Sequence, residues 1–119
     1  MAEPVYNDAV AAWFRQEPRP LEGVSGIAGS EEQGARVVAA ARIEGGSVAN
    51  LAFRAFACPH IIAACNLLAE RLTGQAPEAL VDPALPEHLQ ELEIPVEKTG
   101  KILILQDALR ACYEACATQ

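Results

Sequence analysis

Two runs, "ARVVAAARIE" at 35–44 and "SVANLAFRAFA" at 47–57, flank Gly45–Gly46, and no other stretch narrows the fold as much. Strand-like runs around a Gly-Gly pair read as an antiparallel hairpin. The tight turn needs left-handed backbone, which glycine adopts without steric cost. In the second run Leu51, Phe53 and Ala55 share one face, and Ala52, Arg54 and Phe56 share the other. The alanines of the first run suit a helix equally well, so its strand assignment rests on the turn and the partner.

Helical patterns surround the hairpin. Tyr6, Val10, Trp13 and Phe14 recur at helical spacing and predict a helix over roughly residues 5–16, stopped by Pro18 and Pro20 of "EPRP". "LEGVSGIAGSEEQG" is glycine-rich and predicts a short edge strand ending in a mobile loop at Gly29–Gly34. Ile61, Cys65, Leu68 and Leu72 form the stripe of a helix over 59–73, with Gly74 as its stop. "QAPEALVDPALPEHLQELEIP" has room only for short helices or turns. A last helix spans about 101–117, with Ile102, Leu105, Leu109, Cys112 and Cys116 on one face. A hairpin followed by helices predicts α+β: a small antiparallel sheet of about three strands, with helices packed on one face. Residues 1–119 read as a single domain without repeat or linker.

The formal charge of −7 argues against nucleic acid or an anionic membrane as partner, because phosphate binding needs a cationic face. No apolar run reaches membrane-spanning length, and "MAEPVYNDAV" lacks a signal-peptide pattern. The expected compartment is the cytoplasm, where the four cysteines stay reduced.

The cysteines divide by context. Cys65, Cys112 and Cys116 extend apolar stripes and read as small buried hydrophobes. Cys58 stands at a strand-to-helix junction before Pro59, which suits the first helical position. Cys58 is then the N-cap, and the free N–H groups and positive end of the helix dipole favour its thiolate. Three readings stay open: a reactive thiol, a metal ligand, or a buried side chain closing a strand. His60 completes a Cys-x-His pair, but zinc takes four ligands and no second pair follows, so His60 reads as a surface residue of the first turn.

Beyond the residues themselves, the chain resembles the iron–sulfur cluster scaffold family of IscU and the N-terminal domain of NifU over nearly its whole length. The features that carry it are the N-terminal helix with its tyrosine and valine, "EPRP", "SGIAGSEEQG", "LAFRAFACPHIIAACNLLAERLTG" and "ELEIPVEKTGKILILQDAL". The resemblance implies three cysteine positions with an assisting Asp. Here they are Gln33, Cys58 and Lys101; Ala35 stands for the Asp and Gly100 for the His before the third position. The family's chaperone-binding motif is interrupted too, with Val96 and Glu97 between Pro95 and Lys98.

Clusters need several thiolates. Neutral Gln33 is a poor iron ligand, and protonated Lys101 is none. If positions 33, 58 and 101 meet as in the family, the Lys101 ammonium repels iron and stabilises a Cys58 thiolate. No cofactor is assigned: an iron–sulfur cluster or zinc would need ligands from elsewhere. The resemblance implies a role in iron–sulfur assembly, with Cys58 accepting or relaying persulfide sulfur and Lys101 as its stabiliser. The chain would be a partner of a cysteine desulfurase rather than an enzyme, with scaffold or chaperone proteins as further partners. The SufE family, which resembles the scaffold fold, offers an analogy of a single sulfur-accepting cysteine. Two alternatives stand beside this: a silent binding module that regulates the assembly machinery, and a metal site of Cys58 and His60 with Glu31, Glu32 or Cys65. Cys65 lies ~10 Å of helix rise from Cys58, which weighs against a joint site.

Overall fold

The computed structural model describes residues 6–117. Helix α1 spans Asp8–Phe14 and is shorter than its periodicity suggests. Asn7 is extended, and its Oδ1 accepts from the Val10 N–H at 2.8 Å, so the helix cannot begin earlier. Tyr6 therefore precedes the helix, while residue 5 lies outside the described residues. Val10 is buried, whereas Phe14, the last residue of the helix, is 42 % exposed.

Strands β1 (Val24–Ser30), β2 (Ala35–Glu44) and β3 (Ser47–Phe56) form an antiparallel sheet in the order β1-β2-β3. Gly45 and Gly46 have φ of 59° and 78°, as the hairpin turn demands. The β2–β3 register runs from Glu44↔Ser47 to Arg36↔Phe56, with one bulge at Arg42/Ile43. β1 is longer than its glycines suggest and pairs with β2 from Val24↔Ala41 to Ser30↔Ala35. Residues 31–34 are a turn between paired strands.

Helix α2 (Pro59–Leu72) follows β3 directly. Three 3₁₀ turns, Pro77–Val81, Leu85–Leu92 and Val96–Lys98, fill the proline-rich stretch and lead into α3 (Thr99–Ala117). Val37, Ala39, Ala41, Leu51 and Phe53 of the sheet meet Ile61, Leu68 and Leu72 of α2 and Leu105, Leu109 and Cys112 of α3 in one buried cluster. Each buried leucine contributes about 2 kcal/mol to folding. The small residues of β1 and β2 let α3 lie close. A Cβ at Gly26 would stand 2.2 Å from the Cys112 backbone N. Helices thus cover one face of a three-stranded sheet, as the α+β reading predicts.

The opposite face is only half covered. "EPRP" does more than stop α1. Arg19 donates to the Ala69 carbonyl at 3.1 Å and the Thr73 hydroxyl at 2.6 Å, and pairs with Glu70 at 2.8 Å. Asn50 donates to the Pro20 carbonyl at 3.0 Å, and Arg42 pairs with Glu22 at 3.2 Å. This strap covers the far half of the outer face, where Ala40 and Ala52 are buried. Among the described residues no helix is long and apolar enough to cross a membrane.

Candidate functional site

The strand register brings the sequence-predicted positions to one end of the sheet. Arg36 pairs with Phe56, so Gly34 and Cys58 each leave the ladder two residues beyond the same pair. The first turn of α3 arrives beside Gly34. A Cβ built at Gly34 would lie 3.3 Å from Lys101 Cε and 3.4 Å from its Nζ. That is a tight contact with the mobile end of the lysine, and the φ of 81° at residue 34 favours glycine by itself. Among the described residues Lys101 has no ion pair.

Gln33 is exposed in the turn. Its N–H reaches the Ser30 carbonyl at 3.2 Å, and its Oε1 accepts from the Ser30 hydroxyl at 3.3 Å. Gln33 thus serves the turn's own hydrogen bonding. Glu31 and Glu32 are exposed beside it.

Cys58 is the N-cap of α2, extended at φ −72° and ψ 164°, with Pro59 in the first helical position. Its carbonyl accepts from the N–H groups of Ile61 and Ile62 at 3.0 and 3.1 Å. The sulfur itself makes no capping hydrogen bond, so the backbone carbonyl, not Sγ, closes the helix start. The residue is half-buried and in no disulfide.

The other thiols differ. Cys65 is fully buried, and burial drives its pKa far upward. Cys112 is pushed up to about 12 by burial, with the neighbouring Cys116 adding to the effect. Its Sγ donates to the Val24 carbonyl at 3.6 Å. Cys116 is half-buried, and burial raises it too. These three are apolar side chains holding their protons, as the stripe positions imply.

His60 departs from the surface position expected of it. It is 7 % exposed, with the Tyr6 ring edge-on at 4.8 Å. Its Nδ1 is buried without a partner. Burial lowers its pKa, the Lys98 charge lowers it further, and Glu97 opposes them. The periodicity of α2 could not reveal this, because the Tyr6 ring and the charges of Glu97 and Lys98 come from segments far along the chain. Among the described residues no three His, Cys, Asp or Glu side chains converge as a metal-binding group. The residues at this end do not form a cluster cradle: one thiol, an amide and an ammonium lack the donor set iron needs.

A second feature escaped sequence reasoning. A groove of about 470 Å³ lies between the 85–92 turn and α3, lined by Leu89, Ile94, Pro95, Ile102 and Leu103 among others. Its only signal was Leu103, an apolar residue off the buried stripe and 56 % exposed.

A two-layer α+β fold with a half-buried cysteine at a strand–helix junction defines the class, and solved structures make it specific. A nitrogen-fixing NifU-like protein (N-terminal) from Brucella abortus aligns with TM-score 0.69 and 15% identity over 91% of both chains. A proposed iron–sulfur cluster assembly scaffold protein for the SUF system from the thermophile Fervidobacterium islandicum AW-1 aligns at 0.65 and 11% identity, covering 91% of this chain and 96% of its own. A hypothetical protein aligns at 0.60 and 21% identity over 90% and 93% of the two chains. No family model and no curated protein matches the sequence. The chain has the IscU/NifU-like fold.

Proposed function

We propose that this protein works in iron–sulfur cluster assembly as an acceptor or relay of sulfur through Cys58, not as an independent holder of the cluster. The observation that carries this reading is the composition of one end of the sheet. A half-buried thiol at a helix N-terminus shares that end with an unpaired ammonium at Lys101, while the amide of Gln33 occupies the remaining position. The solved scaffolds of this fold supply the setting. The cluster is cargo in that setting, and one cysteine cannot carry it alone.

The chemistry is thiol–persulfide exchange. The Cys58 thiolate attacks the terminal sulfur of a persulfide on a cysteine desulfurase. An Sγ–S bond forms, the S–S bond of the donor breaks, and the donor cysteine leaves as thiolate. Nothing is oxidised or reduced overall. The Lys101 ammonium would stabilise the anionic sulfur before and after transfer. Cys65 and Cys112 cannot substitute, because burial keeps them protonated.

The test is intact-mass measurement after incubation with a cysteine desulfurase and cysteine. A gain of one sulfur per chain, removed by a reducing thiol and absent from Cys58→Ser, is expected. No gain, or a gain unchanged in Cys58→Ser, overturns the proposal.

A further inference from the structure

The groove between the 85–92 turn and α3 has the size and the lining of a small-molecule site. Its volume of about 470 Å³ falls within the range of ligand pockets. Leu89, Ile94 and Pro95 line it from the proline-rich stretch, and Ile102 and Leu103 line it from α3. Leu103 is exposed, and so is Val96 next to Pro95, so apolar surface gathers here that folding does not use. A hollow of apolar walls with a few polar groups is the usual form of a site for a small ligand.

The polar groups select the ligand. Glu93 is the one charged residue of the lining, while Gln90, Thr99 and Gln106 are neutral, and no Lys, Arg or His lines the groove. The Glu93 carboxylate is held in place. Its Oε2 accepts from Asn7 Nδ2 at 3.0 Å, and its backbone N–H donates to the Gln90 carbonyl at 3.1 Å. Glu93 has φ 48° and ψ 50°, and among the described residues it is the only one besides glycines at positive φ. A residue with a Cβ adopts that conformation at a cost, and such costs gather at binding sites. The Thr99 hydroxyl donates to the Val96 carbonyl at 2.6 Å, so towards a ligand its oxygen can only accept.

We propose that this groove binds a small organic amine, a primary ammonium group on a hydrocarbon body. An ammonium has three donors and no acceptor. It pairs with the Glu93 carboxylate and donates to the Thr99 oxygen and a Gln90 or Gln106 side-chain carbonyl. The hydrocarbon lies against Leu89, Ile102 and Leu103. A fatty carboxylate is disfavoured, because its head would meet Glu93 with no cation to receive it, in a chain of net charge −7. A second copy is disfavoured as well, because an isologous contact would set the groove's carboxylate against its own counterpart. The inference goes beyond the sulfur reading and stands without it.

The test uses the full chain, isotope-labelled for NMR at neutral pH, where alkylamines are protonated. It is titrated with hexylamine and octylamine, and with the alcohols and carboxylates of the same chain lengths, all below micelle-forming concentrations. Saturable amide shifts are expected at Leu89, Glu93, Ile94, Ile102 and Leu103. Each added methylene should tighten binding about fourfold. Octylamine should bind about fivefold more tightly than octanol, the size of one exposed ion pair, and octanoate more weakly than octanol. Glu93→Gln keeps an acceptor for Asn7 and should bring octylamine to the affinity of octanol while leaving octanol unchanged. Leu103→Gln, at an exposed position, should weaken amine and alcohol alike. Several results overturn the inference: no saturable shift, shifts outside the groove, octanoate binding as tightly as octylamine, or an amine affinity indifferent to Glu93→Gln. Groove amides that shift on simple dilution of the chain would assign the groove to a second copy instead. A leucine–lysine peptide that binds there more tightly than octylamine would assign it to a protein segment.

Discussion

Cys58 and Cys112 sit in the same small domain and occupy opposite environments. Cys112 lies on the α3 seam, fully buried and pressed against Gly26, with its thiol turned to the Val24 carbonyl. Cys58 lies where β3 hands over to α2, half-buried, with the 31–34 turn and Lys101 gathered at the same end. The seam is closed by packing and tolerates nothing larger. The junction is held by backbone bonds, which leave the side chain free to differ. A cysteine is a filler in the first place and a candidate reagent in the second. The residue type alone does not distinguish them.

The comparison can be broken most forcefully at the seam. Leu109→Ala should lower unfolding stability by about 3 kcal/mol in urea denaturation, the cost of lost burial plus a cavity. Gly26→Val should cost at least as much, since even a Cβ there meets α3 backbone at 2.2 Å. A loss under about 1 kcal/mol for both would show that α3 is not closely seated.

Cys58→Ser should do the reverse. Stability should change by no more than about 0.5 kcal/mol while sulfur loading disappears. Alkylation gives a gentler version of the same contrast. Iodoacetamide at neutral pH should label Cys58 first, with Cys65 and Cys112 labelled only after unfolding, as peptide mapping would read. Equal labelling of Cys58 and Cys112 in the native chain would erase the distinction. Lys101→Glu should then slow the labelling of Cys58 by roughly threefold through lost charge stabilisation, leaving the unfolding midpoint in place.

The smallest effect concerns His60. Burial and Lys98 hold its imidazole neutral below its ordinary range. As pH falls through about 6.5 the unfolded chain takes up the proton first. Stability is therefore full above that pH and declines as pH drops towards the lowered folded value. The urea midpoint should fall less between neutral and mildly acidic pH in His60→Gln than in the parent chain. An identical fall in both would assign the acid sensitivity to other groups.

Much of this architecture was legible in the residues because its signals are local. Alternation along 35–57 with Gly45–Gly46 specifies the β2–β3 hairpin, and Pro59 with Gly74 brackets α2. β1 was only partly legible, since its glycines are there to admit α3 and carry no strand preference of their own. The helix expected over 5–16 contracted to Asp8–Phe14 once Asn7 was seen to cap it. The strap role of "EPRP" depends on Arg19 reaching residues fifty positions away, which no local pattern records.

Sequence by itself determined the order of elements, the sheet-plus-helix class and the singular position of Cys58, because hydrophobic period, turn glycines and a proline after a cap act over a few residues. Only the tertiary structure decided that His60 is covered by Tyr6, that Lys101 lies against Gly34, and that half of the outer sheet face stays open. Each of those is a contact between segments far apart along the chain, and their side chains acquire neighbours only when the sheet and helices close.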